Sequence, residues 1–588
     1  MGTRSDTADG IRNSGVARFG RASVTCLICG ALTAALPVTA TTRAVGAALT
    51  PQMRILIRPG VMNPVTGKGN VDVSIRIPAM NVAADAPLIA LPNMAPGMRE
   101  PQPLTHLVVT DALGAVPLVS REVNGGDHWS SKRRVRGILE VRYRLSIDNS
   151  NASGPPIDLH IDGDAFSSPG RMLLALPQGN TDYRVAIRWD LSAMGRGARG
   201  VTSWGDGNVT LPAGPVDRLF YTLFMAGQLQ RWPAYSAGSF EAIWAGNPPF
   251  DPRPMMQWMS RLYRWMTGYF KFNTRAPYRV FFRSNAANPG GGVAMIRSLN
   301  VGYGKGVTAE NLKPILAHEM THTFTQHFDM PTWYNEGIAV YYGSIMLTPW
   351  LAGLTTTDQF LANLNKIAAA YYADPKMRTP ADQVPANFWK DTRIRILPYD
   401  RGAMYFAELD AMMRKESGGE RSVADLIRAM NDRAHADETV SPAAWVALLR
   451  KALGPAGPAL HQQMMSGALI VPASDAFGPC FRRVVTKLRQ FDLGFAMRSL
   501  ADRTIQRLRP GSEAAKAGLR DGDRFILAPV VSLDELQGDV NQMLTFDVTR
   551  DGRTFAITYL PRGKRVDAYQ WERVPGVAQS ACKSGYLR

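Results

Sequence analysis

The segment Pro314-Ile315-Leu316-Ala317-His318-Glu319-Met320-Thr321-His322 constrains this chain more than any other stretch. Two histidines four residues apart project from one face of a helix, so both imidazoles can reach one metal ion. Glu319 follows the first histidine and lies on the metal's side, where a carboxylate can take a proton from water. Further on, Pro331-Thr332-Trp333-Tyr334-Asn335-Glu336-Gly337 reads as a new helix, with Pro331 at its start and Thr332 as its cap. Only 13 residues separate His322 from Glu336. A reversal near Asp329 and Met330 would make a helix hairpin that returns Glu336 to the two histidines. Two imidazoles and one carboxylate leave a fourth tetrahedral position open, as in catalytic rather than structural zinc sites. One Zn2+ per chain is therefore expected. Asn335 is a candidate partner for these ligands, whereas His327 sits five positions past His322, faces elsewhere and reads as a surface histidine.

The 588 residues are 45% hydrophobic and 20% charged, which excludes a disordered or fibrous chain and predicts several domains. Arg4, Arg12, Arg18 and Arg21 precede an apolar stretch from Ala22 to Ala40 that ends in Val38-Thr39-Ala40. That pattern reads as an export signal, with a membrane anchor as the alternative. Residues 1–45 are therefore expected to be removed, taking Cys26 and Cys29 with them, and the mature chain to be periplasmic or secreted. Cys480 and Cys582 remain, either as a disulfide or as two buried thiols. Outside residues 1–45 no apolar run approaches the ~20 residues that span a bilayer. The net charge of +18 favours weak association with anionic surfaces, but no Lys/Arg block or motif points to nucleic acid.

The mature chain divides into three pieces. From about residue 50 to 235 the apolar period is two. Val71, Val73, Ile75 and Ile77 alternate with polar residues, as do Leu139 to Ile147 and Tyr183 to Trp189, which predicts an N-terminal antiparallel β-sandwich. His106, His128 and His160 are too scattered there to be ligands. Over residues 236–478 the period moves toward 3.6, with Met255, Trp258, Met259, Leu262, Tyr263, Trp265 and Met266 as one apolar helix face. Tyr278 to Phe282 reads as a strand before the flexible Asn288-Pro289-Gly290-Gly291-Gly292, which is either a loop or an edge where a peptide adds as a strand. Residues 482–565 return to short strands with one small helix, and 566–588 read as a tail.

HExxH followed by Trp333-x-x-Glu336-Gly337-x-Ala339-x-Tyr341 resembles the gluzincin metallopeptidases. That resemblance implies a thermolysin-like, mostly helical catalytic domain. Leu397-Pro398-Tyr399-Asp400-Arg401-Gly402 is similar to the Tyr-x-Lys-Gly stretch of aminopeptidases in this clan, which implies that Tyr399 supports the oxyanion of the tetrahedral intermediate. Asp492-Leu493-Gly494-Phe495 with Pro510 to Arg524 looks like a bacterial PDZ domain. It implies that backbone N–H groups around Leu493, Gly494 and Phe495 bind the C-terminus of a peptide, or that the domain packs on its neighbour and binds nothing. The layout resembles the glycyl-aminopeptidase-like family, a multidomain α+β architecture.

The expected activity is hydrolysis of peptides or unfolded proteins, with Glu319 as the base and then the acid. Clan aminopeptidases place a glutamate near the Gly-rich edge strand to hold the substrate's free amine. Gly290 to Met295 carries no acid, and a buried ammonium without a counter-charge is costly. An endopeptidase is therefore slightly favoured. The alternative is a PDZ-mediated binding or scaffold protein whose peptidase-like core has little activity. Nothing in the sequence bears on oligomeric state.

Overall fold

The computed structural model describes residues 50–586, apart from 97, 124, 235–237, 273–276, 326–329, 437, 528–532 and 584–585. The expected export segment with Cys26 and Cys29, together with His327 and Asp329, lies outside the described residues.

The alternating segments form strands. In Lys68–Val82 the residues Val71, Val73, Ile75 and Ile77 are buried, and the residues between them face outward. This strand lies in a seven-stranded sheet ordered Val209–Leu211, Arg184–Trp189, Gln52–Pro59, Lys68–Val82, Val135–Asp148, Leu104–Asp111, Gly114–Ala115. Its inner face shares a core with a four-stranded sheet, where Ile55, Val73 and Leu139 join Leu88, Trp129 and Leu176. The expectation of a wholly antiparallel region needs correction: Gln52–Pro59 runs parallel to Arg184–Trp189. A parallel pair needs a long crossover, and the chain between these two strands supplies it.

A third sheet, not anticipated, holds Gly205–Asp206, Arg199–Thr202, Leu223–Gly227, Ala165–Pro169 and His160–Asp162. It lies against another five-stranded sheet ordered Gln230–Trp232, Phe240–Trp244, Tyr278–Ser284, Ser298–Tyr303, Gly292–Met295. Ala165, Val201, Leu223 and Met225 meet Ile243, Ala245 and Phe281 between them. Arg283 is fully buried in this seam, pairs with the Asp158 carboxylate and donates 3.1 Å to the Asp158 carbonyl. Burial alone would raise the Asp158 carboxyl, but Arg283 and the hydrogen bond with His160 hold it well below the usual range. His160 is thus a packed residue, 3.1 Å from Ser284, while His106 is exposed.

Helix α1 (Arg253–Tyr269) buries the expected stripe, except that Trp265 is half-buried and stacks on Tyr269 at 4.8 Å. Helices α2 (Ala309–Thr325) and α3 (Thr332–Ala339) follow the sheet, then α4 (Thr357–Tyr372) and α5 (Leu397–Glu416). The α3 cap is Pro331 rather than Thr332, and Pro331 makes no side-chain cap bond. The Gly-rich segment forms a packed turn that leads into a strand. Pro289 to Met295 are buried, and Gly292–Met295 is the edge strand, antiparallel to Ser298–Tyr303.

At the C-terminal end, Phe481–Phe491 pairs with Arg562–Arg573 as a two-stranded ribbon. Between its arms lies a small unit with its own core of Phe491, Leu493, Phe495, Leu519, Phe546 and Tyr559. Its helix α6 (Leu533–Gly538) packs on α4, and Gln537 donates 2.8 Å to Thr392. Asn365 of α4 grips the ribbon by exchanging two 2.8 Å hydrogen bonds with the Trp571 backbone. Cys480 and Cys582 form a disulfide across 102 residues, a closure worth roughly 4–5 kcal/mol in the chain-entropy description. The residues expected as a tail are instead built in: Cys582 is fully buried and Tyr586 joins the helical core. No helix of the described residues is long and apolar enough to cross a membrane.

Asp374, just beyond α4, has its carboxyl pushed up to about 7 by burial, against the opposing Lys376 N–H, from an ordinary 3.8. The folded chain therefore holds a proton that the unfolded chain releases, so this residue's stabilising effect is complete below about 3.8 and is lost as pH rises toward about 7. Melting temperature against pH should fall across that window in the wild type. Asp374→Asn should flatten that part of the profile and melt higher than wild type above pH 7; an unchanged profile would refute the assignment.

Candidate active site

Helix α2 carries His318, Glu319 and His322 into a fully enclosed place: their exposures are 1%, 0% and 2%, and Glu336 of α3 is at 1%. The hairpin expected from the sequence brings them together. The two Nε2 atoms lie 3.2 Å apart, and Glu336 Oε2 is 3.3 Å from His318 Nε2 and 3.8 Å from His322 Nε2. Metal–ligand bonds of ~2.0–2.2 Å at tetrahedral angles separate ligand atoms by about 3.3–3.6 Å. The three donors therefore stand within about 0.2 Å of the spacing that one small divalent cation requires.

The electrostatics agree with that fit. Burial drives the His318 imidazole down to about 3, so it is neutral and its Nε2 can offer a lone pair. Burial, and then the nearby Glu319 charge, push the Glu336 carboxyl well above its usual range. The His318–Glu336 contact is thus not a salt bridge between charged groups. Glu336 Oε2 has no hydrogen-bond partner among the described residues. A cation is what would let both buried carboxyls ionise. Imidazole and carboxylate donors in a three-ligand set suit Zn2+. Among the described residues, His318, His322 and Glu336 are the one such group that can hold a metal.

Close helix contacts create this geometry. A Cβ on Gly337 would stand 2.7 Å from the Gly402 Cα, so α3 and α5 cross where neither has a side chain. Glu336 lies one residue before Gly337, and Tyr399 three residues before Gly402. The Tyr399 ring lies 6.4 Å from that of His318 and nearly parallel to it. A Cβ on Gly343 would fall 2.5 Å from the His318 backbone, so the turn after α3 rests directly on the first ligand. The edge strand arrives from the other side, where a Cβ on Gly292 would be 2.8 Å from Glu319 Cγ.

The remaining expected residues are placed differently. Asn335 donates to the Met330 carbonyl at 3.4 Å and serves the hairpin rather than the ligands. Leu493 and Phe495 are buried in the C-terminal unit, away from this site. The Gly494 N–H, expected to be available to a peptide carboxylate, donates instead to Asp492 Oδ1 at 2.8 Å, and Asp492 is ion-paired with Arg509. The sequence reading missed Ser344, whose Oγ stands 2.9 Å from His318 Nδ1.

No protein-family model matches the chain. Among solved structures, an aminopeptidase N family protein from Idiomarina loihiensis overlays 91% of this chain and 100% of its own, with a TM-score of 0.62 and 13% identity. At that identity the likeness is one of fold: a β-sheet N-terminal region followed by a largely helical part. An M1 zinc metallopeptidase from Deinococcus radiodurans overlays 72% of this chain and 94% of its own at a TM-score of 0.44 and 14% identity, too low to carry an argument. In sequence, two proteins each named "Putative zinc metalloprotease", from Brucella suis biovar 1 and Brucella melitensis biotype 1, are 33% identical over 94 residues. This is 14% of the present chain, which spans 24%, about a quarter, of their length.

Glu336→Ala should lower bound zinc from about one ion per chain to near none, because two imidazoles alone form an incomplete site. Elemental analysis after dialysis against trace zinc measures this, and full retention would exclude Glu336 as a ligand.

Proposed function

We propose that the chain is an exported zinc-dependent peptidase that hydrolyses peptide bonds in peptides or unfolded proteins. The observation that carries this is the convergence of two imidazoles and Glu336 beside a second buried carboxylate, Glu319, that is not part of the donor set. His318, His322 and Glu336 would hold the metal, which when bound acidifies water toward a pKa of ~7 and polarises the scissile carbonyl. Glu319 takes the proton of the attacking water and returns it to the leaving amine. Tyr399 donates a hydrogen bond to the oxygen on which negative charge develops. Resemblance to the gluzincin motif and the fold shared with an aminopeptidase N family protein support the same reading.

Two observations pull apart on where the cut falls. The edge strand Gly292–Met295 carries no acid for a free amine, which favours cuts inside a chain. The shared fold favours removal of N-terminal residues. The C-terminal unit is proposed as a PDZ-type domain. Its engaged Gly494 N–H and its α6 contacts with α4 and Thr392 favour a docked part over a free peptide receptor. The disulfide supports export through residues 1–45, since such bonds persist in oxidising compartments.

Mass-spectrometric profiling of a peptide library, half of it with blocked N-termini, tests the proposal. Internal cuts in blocked peptides identify an endopeptidase, and stepwise loss from free N-termini identifies an aminopeptidase. Glu319→Gln should keep its zinc yet lose roughly 10²–10⁴-fold in turnover, and Tyr399→Phe roughly 10²-fold. Zinc-loaded wild type that cuts neither half of the library would overturn the peptidase reading in favour of a binding protein.

A further inference from the structure

We propose that Ser344 is the positioning residue of the metal site, its hydroxyl accepting the Nδ1–H of His318 and so aiming Nε2 at the metal. The inference rests on the metal-site reading above. A neutral imidazole that ligates through Nε2 must carry its proton on Nδ1, and that proton needs an acceptor in a buried site. The two ligand Nε2 atoms face each other at 3.2 Å, and Ser344 Oγ stands 2.9 Å from His318 Nδ1 at the opposite side of the ring.

A local irregularity brings the hydroxyl there. Helix α3 does not end at Ala339 but runs on into a π-turn, Val340–Ser344, in which the Ile345 N–H reaches back five residues to the Val340 carbonyl at 3.0 Å. At about 100° per residue, Ser344 would lie roughly 80° around the helix from Glu336, eight positions earlier. The extra residue of the π-turn takes back one step, leaving them about 20° apart on one face. Ligand and hydroxyl thus both look at α2. The turn is pressed onto His318 by Gly343 and clamped behind by Tyr341, which donates to Asp410 Oδ2 at 2.9 Å. Asp410 is itself held by Arg414 at 2.9 Å and by the Val423 N–H at 2.8 Å.

The chemistry of the partner fits as well. Glu319 and Glu336 already place two carboxyls around the donors. A third carboxylate against Nδ1 would add like charge, whereas a hydroxyl accepts the proton without one.

The test measures zinc affinity by chelator competition and the visible absorption of the Co2+-substituted protein for wild type, S344A and S344T. S344A should bind zinc about 10–100-fold more weakly and show an altered cobalt spectrum. S344T keeps the hydroxyl and should restore both, while the metal-free proteins melt together. Wild-type affinity and an unchanged cobalt spectrum in S344A would overturn the proposal, as would S344T binding no better than S344A. Wild type that binds no metal removes this inference and the metal site together. A Ser344-dependent affinity in a protein that cuts no peptide leaves the inference standing and removes only the peptidase reading.

Discussion

Four ionisable groups in one dry pocket set the terms for the rest of this molecule. Two imidazoles and two carboxyls with exposures of 2% or less cannot all be charged, and without a cation the pocket is expensive. The chain accepts that cost by fixing the groups on elements that cannot drift. Helix α2 is enclosed from Ile315 to Met320, α3 meets α5 at a pair of glycines, and the π-turn lies on the His318 backbone. Each contact is too close for any side chain to replace the glycine, so the ligand positions follow from backbone packing rather than from flexible side-chain reach.

The same logic governs the seam between the β-rich region and the sheet that carries the edge strand. Arg283 and Asp158 are buried there together with Arg279 and Glu241, whose side chains pair at 2.9 Å. Buried pairs of this kind are not strong net stabilisers, but removing one partner strands the other's charge, so they penalise any sliding of the two sheets. The edge strand needs such rigidity. Val293 and Met295 pack against Ala95, Met98, Ile157 and Met172 of the N-terminal region, while Gly292 abuts Glu319. Movement across the seam would therefore shift the edge strand against Glu319.

What the sequence revealed and what it concealed divide along physical lines. The two histidines were legible because HExxH fixes their geometry within two helical turns, and Glu336 because only 13 residues separate it from His322. The helix Arg253–Tyr269 and the strands Lys68–Val82 and Val135–Asp148 were legible because each has one wet face, so burial writes a period into the sequence. Phe240–Trp244 and Ser298–Tyr303 are buried at every position and carry no alternation to read. Asp158 and Arg283 look like surface residues until their pairing is seen. Ser344 was hidden for a different reason: a π-turn breaks the 3.6-residue period on which any same-face argument rests.

The placement of Tyr586 follows from the same constraint. Tyr341 of the π-turn bonds Asp410, Asp410 pairs with Arg414, and Arg414 lies 4.1 Å from the centre of the Tyr586 ring while donating 3.1 Å to its hydroxyl. Tyr586 in turn donates 2.9 Å to the Ala476 carbonyl, four residues before Cys480 in the disulfide with Cys582. A short turn with an irregular hydrogen-bond ladder has little intrinsic stability and must be held from outside. The C-terminal segment provides that hold, and the disulfide keeps it in place at a cost already met in the unfolded chain. Placed there, Tyr586 supports the turn behind His318, a dependence that neither sequence distance nor domain order would indicate.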